Sequence, residues 1–447
     1  MEAQGHQFTK KALAALIIPL IFESLLNIMI GMADTIMVSN CGESAISAVS
    51  LADSISILIV QLFTSFATGG AVVVSQYIGS GSMDKAKTSA KNLIYLSGGI
   101  AILIVAVMLP LHDKAISLFF GSIDDDVRSA CSDYFIPVLV SYPFLAMYSA
   151  LTAVSRSEEK SGRTLSVSVL MNAMNIIGNA ILIFGFGMGT RGAGIASLLS
   201  RITGFLLMFL LMRRKSEELR LTGITKGPVS PKIMWKIMRI GVPTGIEGTL
   251  FNVGKILVQS LIAGLGTSAI AVNAIVFNFN AYSNIAGNGI NLAMITIIGQ
   301  CRGRDNISDI RYYTKLMLSL SYLCTILIVL PTYIFMPSII RIYGIDETSM
   351  AIAIPICRSC LIACATLWPM AFSMPNVLKA TGDILFIMTI SISSMWVFRV
   401  GLSHILIRCF GFGVDGVWYA MYADWAFRGI MYISRYRSGK WKDKKVI

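Results

Sequence analysis

Apolar residues fill the chain in twelve stretches, near 13–38, 45–78, 92–111, 129–153, 165–187, 193–212, 240–265, 269–300, 316–336, 350–376, 384–407 and 414–433, with short polar segments between them. A helix needs roughly 20 apolar residues to cross the hydrocarbon of a bilayer. The pattern therefore predicts an all-α, polytopic membrane protein with twelve transmembrane helices. The stretches near 45–78 and 269–300 are long for one crossing, so tilt, a kink or an extension beyond the bilayer is expected there. The first run is too long and too acidic for a cleavable signal peptide, and no small-residue cleavage site follows it.

The pattern repeats. A shift of 224 residues sets Pro19 on Pro243, Glu23 on Glu247, Gly42 on Gly266, Ala45 on Ala269, Gln76 on Gln300 and Gly79 on Gly303. With small gaps Pro143 meets Pro369, and GFGMGTRGAGIAS meets GFGVDGVWYAM. Six spans per half is an even number, so both halves enter the membrane in the same sense. The fold class is thus two six-helix lobes related by a parallel pseudo-two-fold repeat. The predicted domains are an N-lobe at 1–212, a basic linker at 213–239, and a C-lobe with a basic tail at 240–447. Transporters built from such repeats hold their substrates near the midplane, where the repeats meet.

Charge fixes the direction of threading. The chain is 55% hydrophobic and 14% charged, with a net charge of +13. With both termini inside, the inner segments collect 27 of the 37 Lys and Arg, and the outer segments 5. This is the positive-inside distribution. It accounts for the basic balance without invoking nucleic acid, which is not expected as a partner. The eight cysteines are scattered and form no disulfide framework.

Polar residues inside apolar spans are costly and mark candidate sites. In span one Asn27 lies about 40°, and Asp34 about 20°, around the helix from Glu23. These three share a stripe that must meet protein or water. Span five carries Asn172, Asn175 and Asn179 on one face. Span eight carries Asn273, Asn280, Asn284, Asn288 and Asn291 within about 80° of arc. These amides read either as a polar cavity lining or as hydrogen-bonding glue between helices. Glu247 and Lys255 share span seven, about 80° apart, so each is expected to find partners on other helices. Asp424 and Arg428 are spaced to pair along one helix. For these two, and for Arg201, Arg358 and Arg399, a structural role is expected.

Several chemistries are excluded. His6, His112 and His404 are dispersed, so no His-based metal site is expected. Cys357, Cys360 and Cys364 fall on one face of span ten and read as packing. The glycines at 185, 187 and 189 form a turn, and no GxxxxGK[ST] phosphate loop occurs. Nor is there an HExxH or other hydrolytic motif, so an enzyme is not expected. The duplicated halves disfavour a channel or a receptor. A flippase for a lipid-linked saccharide is the nearest transport alternative, and it would want Arg and Lys clustered in the first half.

Three segments carry a family resemblance: MADTIMVSNCGESAISAVS (32–50), GGAVVVSQYIGSGSMDKAK (69–87) and the repeat GVPTGIEGTLFNVGKILVQSLIAGLGTSAIAVNA (241–274). With Pro19 they resemble the multidrug and toxic compound extrusion (MATE) transporters, over roughly 10–435. The resemblance implies two lobes in a V around a central cavity. It also implies export of organic, often cationic, drugs in exchange for Na⁺ or H⁺, with no other cofactor. A monomer in the bacterial cytoplasmic membrane, with both termini cytoplasmic, is expected. The family's ion-coupling site maps onto Asp34, Asn175, Asn179 and Ser197. Asn179 stands where that branch of the family usually has Asp, and Glu23 is the candidate to replace the lost carboxylate. Loss of one carboxylate favours H⁺ over Na⁺, because hard cations prefer charged oxygens. The substrate cavity is expected to use Asn27, Glu247, Lys255, Asn280, Asn284 and Asn288.

Overall fold

The computed structural model describes residues 7–121, 124–214, 219 and 229–447, and among these the chain is helical with no strand. The first half contains α1 (Lys10–Ser39), α2 (Glu43–Gly79), α3 (Met83–Met108), the short α4 (His112–Phe120), α5 (Asp125–Ser157), α6 (Ser161–Asn179) and α7 (Gly189–Met212). The second contains α8 (Pro231–Ala263), α9 (Thr267–Ser283), α10 (Ile285–Gly303), α11 (Ile307–Ile342), α12 (Glu347–Thr366), α13 (Met374–Thr381), α14 (Ile384–Ser394), α15 (Ser403–Phe410) and α16 (Val414–Arg437).

These sixteen pieces make twelve rods and the short α4. The long eighth span kinks, as its length suggested: α9 stops at Ser283, and α10 restarts after Asn284. Three other spans change pitch instead of breaking. α6 continues through a π-helical turn, Ala180–Gly185, α12 passes into α13 through a second, Pro369–Ser373, and α14 passes into α15 through a third, Met395–Leu402. Such wide turns occur frequently at functional sites. Among the described residues, nine helical stretches are long and apolar enough to cross a membrane on composition alone. Of the other three rods, α8 and α16 carry many charges, and α9–α10 is interrupted at Asn284.

The duplication is visible in the backbone. Gly42 and Gly266 precede α2 and α9 with φ/ψ of 102°/172° and 100°/174°, a conformation that suits glycine. Gly81 has φ 73°, and its equivalent Asp305 has φ 55°. Turn geometry has therefore been kept at corresponding points of the two halves.

The chain divides into two compact units, Phe8–Gly245 and Ile246–Val446, with Gln7 belonging to the second. Their boundary falls inside α8. Of the predicted linker at 213–239, residues 215–218 and 220–228 lie outside the described residues, and 231–239 already belong to α8.

In the first unit α5 packs against α2, α3 and α7. Phe63, Phe135, Leu139 and Tyr142 fill its core, with the Phe63 and Tyr142 rings edge-on at 5.8 Å. The start of α8 lies on α2. A Cβ at Gly69 would stand 2.7 Å from the Ile237 carbonyl oxygen, so only glycine permits this approach. Small residues at helix contacts let backbones close where lipid supplies no hydrophobic drive. In the second unit α9 packs on α12, and α10 on α11 and α13. Trp368, Trp418 and Trp425 are buried in its core.

Candidate functional site

In the first unit three helices converge on one carboxylate. α1 carries Asp34 near its end. Asn175 and Asn179 lie one turn apart on α6, hence on one face, and α7 supplies Ser197. Asn179 Nδ2 donates to Asp34 Oδ1 at 2.7 Å. The Asn175 amide satisfies its neighbours with its nitrogen toward the carboxylate, 2.8 Å from Oδ1 and 3.3 Å from Oδ2. Its oxygen then accepts from Ser197 Oγ at 3.3 Å. The reverse orientation would set amide oxygen against carboxylate oxygen. Asn179 is 1% exposed, and its Oδ1 has no hydrogen-bond partner. An orphaned acceptor therefore sits beside a partly exposed acid. The structure thus brings together all four residues that the family resemblance mapped.

Three neighbours join this group: Asp53 and Tyr134 were missed from sequence, and Arg201 was expected only to be structural. Asp53 on α2 and Arg201 on α7 lie within electrostatic reach of Asp34. Tyr134 Oη on α5 donates to Asp53 at 3.2 Å. Arg201 Nη1 donates to Ser141 Oγ at 2.6 Å, so it is anchored as well as charged. With both acids ionised, this group of three charges sums to −1, which one monovalent cation neutralises. Asp53 carried the same signal as Asp34, an acid inside an apolar run.

Glu23 is not part of this group, which corrects its expected coupling role. Its Oε1 lies 2.6 Å from Arg156 Nη2, and its Oε2 accepts from Thr164 Oγ1 at 3.1 Å. The carboxylate is buried and already compensated. Asn172 donates to Ser168 on its own helix, at 3.2 Å. Asn27 is exposed.

The second unit reuses the Glu23 arrangement and changes the rest. Glu247 pairs with Lys379 at 3.0 Å rather than with Lys255. The Asn stripe of span eight is mostly glue, which corrects the expected lining. Asn280 Nδ2 lies 3.4 Å from Cys364 Sγ, and Asn284 Nδ2 donates to the Asn280 carbonyl at 2.7 Å. Asn273 Oδ1 accepts from Trp418 Nε1 at 3.2 Å. Burial explains the difference: the α9 face that carries these amides is closed by α12 and α16. Among the predicted cavity amides of span eight, Asn288 alone is exposed, as Asn27 is on span one. Lys255 stands apart from Glu247, above the Phe251 ring at 5.1 Å. Asp424 and Arg428 pair at 2.8 Å, as their spacing suggested, and Arg399 approaches the same acid at 3.2 Å.

A duplicated six-helix membrane fold with a polar site inside one repeat is the architecture of a membrane transporter. The family model for MatE matches residues 19–181 and again 243–405, a spacing of 224 that repeats the internal duplication. The chain belongs to the MatE family. It is 27% identical to the probable multidrug resistance protein NorM of Thermotoga maritima, over 98% of this chain and 94% of that protein. It is also 27% identical to the uncharacterized transporter YisQ of Bacillus subtilis, over 95% and 94%. Among solved structures, an outward-facing multidrug resistance MATE transporter of the MOP superfamily superposes with a TM-score of 0.90 at 19% identity. That superposition covers 99% of this chain and 98% of the other.

Proposed function

We propose that this protein is a cation-coupled efflux antiporter that exports drug-like organic compounds by alternating access. It would work as a monomer in the bacterial cytoplasmic membrane, with both termini in the cytoplasm. The observation that carries the reading is Asp34, held by Asn175 and Asn179 in a charge group of −1. The names of similar proteins, multidrug resistance and multidrug export among them, support the substrate breadth.

In the proposed cycle Asp34 begins ionised and accepts from both amides. Binding a cation removes its charge and changes the cost of burying it. A coupling ion shifts a conformational equilibrium only by its difference in affinity for the two states. Asp34 supplies that difference if its surroundings differ between them.

The geometry favours H⁺ over Na⁺. Both amide nitrogens face the carboxylate, which suits an anion. Na⁺ would need oxygens there, so both amides would have to turn. A proton replaces a single contact. Purified protein in proteoliposomes, given separately imposed proton and Na⁺ gradients, tests this. Export of a dye driven by the proton gradient alone is expected. Export driven by neither gradient would defeat the antiporter reading.

A further inference from the structure

The second unit contains a group of charges of the opposite sign, which the coupling site does not use. Lys255 on α8, Arg399 in the π-helical turn Met395–Leu402 and Arg428 on α16 surround the ring of Phe251. Their charged ends lie 5.1, 5.0 and 5.0 Å from its centroid. Asp424 is the one acid that pairs with them among the described residues. Three cations against one carboxylate leave an excess of two positive charges inside membrane-spanning helices. Glu247 does not offset it, because Lys379 already neutralises that acid.

The three cations differ in how far they are satisfied. Arg428 is anchored at two of its nitrogens: Nε donates to Asp424 Oδ1 and Ser394 Oγ, and Nη2 to the Ser391 carbonyl. Arg399 is 7% exposed, and its Nε has no hydrogen-bond partner. Lys255 is exposed, has no acceptor among the described residues, and is repelled by Arg399. The face of an aromatic ring attracts cations but cancels no charge. Open donors on two neighbouring cations in such a setting call for an anion, and charge-assisted hydrogen bonds to carboxylate or phosphate oxygens are the strong ones. The π-helical turn that carries Arg399 is itself a feature frequent at functional sites.

We propose that Lys255 and Arg399 form a binding site for an anionic oxygen group, carboxylate or phosphate, on the exported compound. This deepens the efflux reading and rests on it. The preferred substrates are anionic or zwitterionic amphiphiles rather than the simple cations that the resemblance implies. Arg428 and Asp424 hold Arg399 in position.

The test uses purified protein in phosphatidylcholine nanodiscs without any gradient, so that failure of ion coupling does not affect it. The probes are a xanthene dye with a free carboxylate and the same dye as its methyl ester, followed by fluorescence anisotropy. The acid is expected to bind roughly tenfold more tightly than the ester. Lys255→Gln is expected to abolish that preference, and Lys255→Arg to retain it. Lys255 is exposed, so both variants should fold, and a thermal melt checks this. Equal binding of acid and ester by the unsubstituted protein would overturn the proposal, as would an unchanged preference in Lys255→Gln. A third arm adds phosphatidylglycerol to the nanodiscs. Dye binding is expected to persist. Loss of dye binding there would assign the site to a lipid headgroup and overturn its role for an exported compound.

Discussion

Glu247 and Lys379 meet at 3.0 Å in the second unit, one repeat on from the 2.6 Å contact of Glu23 with Arg156 in the first. Each acid lies four residues after a proline inside its helix, Pro19 or Pro243. An ion pair preserved in both halves, while the surrounding charges diverged, points to a structural brace. Breaking a buried pair by removing one partner costs about 3–5 kcal/mol, because the other charge is left uncompensated. Glu23→Gln is therefore expected to lower the thermal midpoint in detergent markedly. Adding Arg156→Gln should restore much of the loss. The response of any folded variant to imposed ion gradients should stay as in the parent.

Asp34 is a different case, because the equivalent position in the second half is Val258. Asp34→Asn is expected to abolish gradient-driven dye export from proteoliposomes and leave membrane insertion and yield unchanged. Retained export by this variant would remove Asp34 from the coupling role.

The ion preference rests on a single amide. Asn179→Asp would place a second charged oxygen where the orphaned Oδ1 now sits. Since hard cations favour charged oxygen ligands, this variant is expected to gain export driven by a Na⁺ gradient. Parallel assays of parent and variant under the same imposed gradient would reveal it.

Helix contacts supply a test of the fold. The Cβ of Gly69→Ala would collide with the Ile237 carbonyl oxygen, a backbone atom that cannot swing aside. Overpacking of this kind typically costs about 1–3 kcal/mol. At Gly254 the collision is with the Met395 thioether, a flexible side chain. Gly69→Ala should therefore melt well below Gly254→Ala.

The twelve rods, the 224-residue repeat and the grouping of Asp34 with Asn175, Asn179 and Ser197 were legible in the sequence. Periodicity, duplication and family pattern each leave a one-dimensional trace. The partners of Glu23, Glu247 and Asn280 were not legible. Each bonds across helices 80 or more residues away, and angular position on a helix says which face a residue occupies, never what that face meets. Asp53 could have been found by the rule that found Asp34. The kink at Asn284 was foreshadowed only by span length, because nothing in the local sequence distinguishes that asparagine from its neighbours.

Asp305 takes the turn position that Gly81 holds in the first half, and its carboxylate receives Arg302 Nη1 at 2.8 Å. The other end of that guanidinium binds the carbonyls of Lys442 and Lys444, at 2.6 and 2.7 Å. The last residues of the chain are thus laced to the turn after α10, and Arg302 is buried beneath them. A truncation after Ser438 would remove both carbonyls and uncover that buried cation.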